Sequence, residues 1–153
     1  MVKIKIDQIR KLRGKTGAPV VRAKKVLEEV GGDEKKAEEI LKEEGFEKAA
    51  KRSGRATEQG IIATYNHHNQ KVMGAVELFC ETDFVARNDL FEKLAHNLAM
   101  QAASMKAEDA KELEKQDYIK DPSKKVSELV KEVIAKTGEN IRIGRVIRIE
   151  LGK

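Results

Sequence analysis

The apolar residues of this chain change their period near residue 60, and that change limits the folds open to it. Up to about residue 45 they recur every three or four positions. From Ile61 they fall on alternate positions, and after Phe91 the helical spacing returns. Neither an all-helical protein nor a β-barrel carries both periods, so the predicted class is α+β with a helical segment leading. Residues 6–45 read as three short helices. Ile6, Ile9 and Leu12 mark the first, which Gly14 and Gly17 are expected to break. Val20, Ala23, Leu27 and Val30 line the second, with Pro19 at its first turn, where a missing N–H costs nothing. Gly31-Gly32 ends it. Asp33 is placed to cap the third, whose Ala37, Ile40 and Leu41 share a face up to Gly45. So few apolar residues make a small core, which suits a docking module.

A helical or linking stretch runs from Glu47 to about Gln59. Ile61–Tyr65 and Val72–Cys80 then read as strands joined by the polar turn 66–69, an antiparallel hairpin. Phe91, Leu94, Ala95, Leu98, Ala99 and Ala102 form a continuous helical stripe. Residues 106–120 are charge-rich and read as helix or loop. Asp121-Pro122 is the predicted start of a further helix, lined by Val126, Leu129, Val130, Val133 and Ile134 and closed at Thr137-Gly138. In the last strand Ile141, Ile143, Ile147, Ile149 and Leu151 share parity, with Arg142, Arg148 and Glu150 opposite. Arg145 and Val146 break the alternation beside Gly144, the signature of a bulge. The economical arrangement is a small three-stranded antiparallel sheet packed with helices. Such a sheet has an unpaired edge and an incompletely covered face, so a homodimer is expected.

Catalytic chemistry finds little support. Of 153 residues one is a cysteine, Cys80, which excludes an internal disulfide and any Cys-cluster metal site. His67 and His68 share a turn and His96 lies on a helix, without the further ligands that zinc needs. There is no Walker loop, nucleophile elbow or dinucleotide fingerprint. The expectation is a non-enzyme with neither cofactor nor metal. A net charge of +5 is modest for a chain in which 37% of residues are charged and the two signs interleave. The densest basic cluster is Lys48, Lys51, Arg52 and Arg55. It reads as a short linker, with a basic nucleic-acid-binding module as the alternative function. No apolar run approaches the roughly 20 residues of a membrane span. The N-terminus has no apolar block or cleavage site, so a cytoplasmic location is expected.

The segment from Cys80 to Asp89 carries the most information. It joins a strand to a helix, and Thr82 or Asp83 can cap the helix start while Asp89 caps the longer helix beyond. Phe84 and Val85 are expected in an exposed first turn. Phe84 is either a hydrophobic staple that packs locally or an aromatic plug aimed at a partner.

Cys80–Asn88 resembles the signature of the elongation factor Ts family, whose core opens a helix with a Thr-Asp-Phe-Val turn. Leu12-Arg13-Gly14-Lys15-Thr16-Gly17-Ala18, with Lys24-Lys25, Gly31-Gly32-Asp33 and Ala37, resembles that family's ubiquitin-associated-like helical domain. Ala49–Arg55 and Glu58-Gln59-Gly60 resemble its linker, and Gly138-Glu139-Asn140-Ile141 with Arg145-Val146 the start of its last core strand. The match runs in register along nearly the whole chain and extends to one core half, where longer members add a second. The resemblance implies a helical domain over 1–46, a linker over 47–59 and a core over 60–153. It implies a non-enzymatic factor that binds elongation factor Tu carrying GDP and speeds GDP release, without direct nucleic-acid or membrane binding. By matching position, Val20, Val21 and Lys24 are the N-terminal contacts, and Thr82, Asp83, Phe84 and Val85 the core contacts, supported by Gly138. Phe84 would wedge beside the magnesium and phosphate site of the partner. Pro19-Val20-Val21-Arg22-Ala23 departs from the family, which often has Gly-Met-Met-Asp-Cys there. Thr137 replaces a larger aliphatic residue.

Overall fold

The computed structural model describes residues 2–153, with Met1 outside it. Helices α1 (Ile6–Thr16), α2 (Val20–Glu29) and α3 (Glu34–Arg52) form the leading bundle. Leu12, Ala23, Val26, Leu27, Ala37 and Leu41 fill its core. Asp33 caps α3 as expected, accepting from the backbone N–H of Lys35 and Lys36 at 3.1 Å each. Ile6 and Val20, read from spacing as members of the apolar faces, stand exposed.

Of the expected helix breaks Gly17 holds, while Gly14 and Gly45 do not. α1 passes through Gly14 and stops at Gly17, whose left-handed φ of 71° closes the helix. α3 passes through Gly45 and continues to Arg52. A glycine inside a helix costs about 1 kcal/mol relative to alanine. At Gly45 the missing side chain permits close approach: a Cβ there would lie 3.1 Å from the Cβ of Ala135. That contact packs α3 against α7 (Val126–Thr137) of the second half. Lys42 on α3 adds an ion pair to Glu132 on α7, 3.5 Å apart. Ala49 near the end of α3 is already part of the second core.

The second half is built on a sheet of order β1-β2-β5, with β1 (Gln59–Asn66), β2 (Val72–Cys80) and β5 (Arg142–Glu150) all antiparallel. Helix α5 (Asp89–Ser104) lies across its inner face. Phe91, Leu94, Ala95, Leu98, Ala99 and Ala102 are buried, as their spacing predicts. Gly74 on β2 lets α5 press onto the strand, since a Cβ there would fall 2.3 Å from the carbonyl oxygen of Ala99.

The predicted bulge is present. Val76 pairs with Val146 but Leu78 with Ile143, so β5 carries one extra residue opposite Glu77. The bulge reverses the parity of the strand beyond it, which the sequence reading did not follow through. Ile143 faces inward. Ile147 and Ile149 pair with Ala75 and Met73 and face outward, while Arg148 faces inward and donates from Nε to the carbonyl of Ala103 at 3.1 Å.

Residues 106–125 form α6 (Ala110–Lys115) and the small hairpin β3 (Asp117–Tyr118) with β4 (Asp121–Lys125). Asp121-Pro122 therefore does not start a helix. Asp121 turns back on Ser123, accepting from its N–H at 3.2 Å and its hydroxyl at 2.6 Å, and Lys125 pairs with Asp117. The helix begins at Val126. Gln101, buried on α5, anchors this segment: its Nε2 donates to the carbonyl of Asp117 and its Oε1 accepts from the N–H of Ile119, both at 3.0 Å.

Candidate partner-binding site

The turn between β2 and α5 is short, exposed on one side and heavily bonded on the other. Its single helical turn is α4 (Asp83–Ala86). Thr82 is the cap, its Oγ1 accepting from the N–H of Val85 at 3.4 Å. Asp83 stands in the first turn with its carboxylate exposed, 3.5 Å from the guanidinium of Arg87. Phe84 is 81% exposed, which leaves the local staple without support. Val85, expected beside it in the open, is instead 9% exposed and belongs to the core. The second cap also differs from expectation: Asn88 caps α5, accepting from the N–H of Leu90 at 2.8 Å, and Asp89 is the first helical residue.

Beneath the turn lies a carboxylate that sequence reasoning passed over. Glu139 accepts from the N–H of Glu81 at 3.2 Å, the N–H of Thr82 at 2.9 Å and the hydroxyl of Thr82 at 2.6 Å. Gly138, in the left-handed conformation at φ 78°, ends α7 and turns the chain toward this position. Cys80, fully buried, donates its Sγ–H to the carbonyl of Thr82 at 3.1 Å. Burial and the nearby Glu139 carboxylate push its thiol up to about 11. At neutral pH it is a structural thiol rather than a nucleophile.

On the bundle, Val20, Val21 and Lys24 are exposed at the start of α2, Val21 by 80%. Lys24 lies 4.0 Å from Glu28. Arg22, where the family often carries an acid, is turned toward α3 and held by Glu44. That bond lowers the Glu44 carboxyl below the usual range and leaves the valines as the outward feature. The basic cluster is only partly free. Arg52 donates to the carbonyl of Ile134 at 3.2 Å and Arg55 to that of Gly138 at 3.5 Å, while Lys48 and Lys51 are exposed. Among the described residues no group of three or more His, Cys, Asp or Glu is placed to hold a metal ion.

A family sequence model described as "Elongation factor TS" matches residues 81–153, the half that begins at this turn. The elongation factor Ts of Thermotoga petrophila is 42% identical, over 99% of this chain and 98% of that protein. The chain belongs to the elongation factor Ts family. The Thermotoga neapolitana elongation factor Ts is 43% identical, with 99% of each chain covered. Both alignments run to 195 positions against 153 residues here, so these relatives carry internal segments that this chain does without. The elongation factor Ts of Clostridium botulinum is 44% identical over 98% of this chain, which spans 49% of that longer protein. As a member of the elongation factor Ts family this chain is a translation elongation factor, a protein of protein biosynthesis. Among the described residues no helix is long and apolar enough to cross a membrane.

Proposed function

We propose that this chain binds elongation factor Tu in its GDP-bound state and accelerates GDP release, with Phe84 as the plug. The observation that carries this reading is a phenyl ring 81% exposed on a turn whose backbone is otherwise tied down. An aromatic ring without local packing is an anchor awaiting a pocket. Asp83 beside it supplies a carboxylate for a partner donor. Thr82 and Gly138 shape the turn, and Val85 seats it in the core. Val20, Val21 and Lys24 give a second, smaller contact on the bundle, so residues 1–46 act as the docking unit, 47–59 join it and 60–153 form the core.

No bond is made or broken in such a reaction, and the chain works as an exchange factor rather than an enzyme. Displacing the partner's elements around magnesium and phosphate would weaken the nucleotide, and by linkage GDP weakens the exchange factor by the same factor. Incoming nucleotide then releases it. The engagement of Arg52 and Arg55 with backbone carbonyls favours this reading over a nucleic-acid-binding module. We place the activity in the cytoplasm, with elongation. We also propose a homodimer through the outer face of the sheet, where Ile62, Ile147 and Ile149 stand exposed together.

The test is stopped-flow release of a fluorescent GDP from elongation factor Tu, with and without the full chain. Acceleration that saturates with chain concentration is the expected result. Unchanged release would sink the proposal.

A further inference from the structure

Phe84 has no packing to hold its own direction, so its aim is the aim of the turn. Two turns far apart in sequence hold each other there. From the α7–β5 side, the Glu139 carboxylate takes the N–H groups of Glu81 and Thr82 and the Thr82 hydroxyl. From the β2–α4 side, the Glu81 carboxylate takes the N–H of Asn140 at 2.7 Å. Each acid thus caps the backbone of the other's turn. Because the Thr82 hydroxyl donates to Glu139, its lone pair is left to receive the Val85 N–H, the bond that starts the helical turn bearing Phe84. Asn140, buried, extends the same node to the end of α3: its Nδ2 donates to the carbonyls of Ser53 at 3.3 Å and Arg55 at 2.9 Å.

We propose that Glu139 and Asn140 are positioning residues for exchange: they fix the direction of Phe84 and tie it to the end of the helix that carries the docking bundle. This rests on the exchange reading above. Neither residue needs to touch the partner. Loss of the clamp would leave the ring present and the protein folded, with the turn sampling other directions. A smaller fraction of encounters would then place the ring correctly, lowering the maximal rate of release rather than the amount of chain needed to reach it.

The experiment uses the full chain with Glu139→Ala, Phe84→Ala and the double variant. The readouts are GDP release from elongation factor Tu across a concentration series and amide hydrogen exchange of the free proteins. Glu139→Ala is expected to lower the saturating rate about tenfold, and the double variant to be no slower than Phe84→Ala, because a residue acting through Phe84 has nothing left to position. Amides at 81–85 are expected to exchange about tenfold faster while those of α5 stay protected. Glu139→Gln keeps the side-chain volume and can still accept both backbone N–H groups. It is expected to show the same two effects at about threefold, and it serves if the alanine variant does not fold. A saturating rate equal to wild type, additive losses in the double variant, or unchanged exchange at 81–85 would each overturn this role and leave the proposed function standing. A wild-type chain that does not speed GDP release overturns both.

Discussion

Phe84 and Val85 are neighbours in sequence and face opposite ways, the first 81% exposed and the second 9%. The valine therefore seats the turn and the phenylalanine is free to bind. Burying a phenyl ring in a partner is worth roughly 1.5–3 kcal/mol from area alone. Phe84→Ala should slow catalysed GDP release by about tenfold or more. Its unfolding free energy should stay within about 0.5 kcal/mol of wild type, as for other exposed sites. Val85→Ala should do the reverse first, lowering the melting temperature before any effect on exchange at temperatures where it is folded. Calorimetry and exchange on the same preparations separate the two.

The bundle patch should contribute affinity. Val20→Asp with Val21→Asp places two charges on a contact without disturbing the bundle core, since both residues are exposed. We expect the concentration of chain giving half-maximal release to rise by about tenfold or more, a loss of about 1.4 kcal/mol, with the saturating rate retained. A change in saturating rate with affinity intact would show that the bundle takes part in the exchange step itself.

Assembly through the outer sheet face predicts a mass twice the 17.2 kDa of one chain in light scattering at micromolar concentration. Ile147→Glu with Ile149→Glu should return a species of 17.2 kDa. Charges on that face oppose their own copies across a two-fold axis. A wild-type chain found only at the monomer mass would remove the dimer from the proposal.

Glu77 links stability to pH. Arg145 bonds its carboxylate from the bulge at 2.8 Å and holds its pKa down to about 2, against 4.5 for a free side chain. A folded pKa below the unfolded one means that the contribution is fully present above about pH 4.5 and is lost as pH falls toward about 2. Glu77→Gln should therefore be less stable than wild type at pH 7, and the difference should close between pH 4.5 and 2. Urea midpoints across that range measure it.

Much of the fold was legible because packing followed periodicity. The α5 stripe, the hairpin, the Asp33 cap and the bulge all rest on local patterns that the structure keeps. What escaped was decided at a distance. Gly45 reads as a stop until Ala135 is seen against it. Asp121-Pro122 reads as a helix start until Ser123 and Asp117 take up the neighbouring polar groups. At the candidate site the exposed ring was readable from the turn. The direction of Val85 was not, and neither were the bonds of Glu139, whose partners lie 57 and 58 positions away. A Gly-Glu-Asn run at a helix end gave the only local hint, and local rules do not say what a carboxylate there will hold.

The extra residue opposite Glu77 also bears on how this chain could change over time. Beyond the bulge, Ile147 and Ile149 face out because of where they are counted from, not because of what they are. Loss of one codon at Gly144 would remove the extra residue and leave a regular strand, with Val146 still opposite Val76 and both isoleucines still on the open face. The same three-nucleotide deletion at Val146, with the bulge kept, would instead act as an inversion of the last stretch of the sheet and exchange a sticky surface for a charged one. In this strand, spacing is inherited information of the same rank as residue identity, and a comparison of homologues by composition alone would not register its loss.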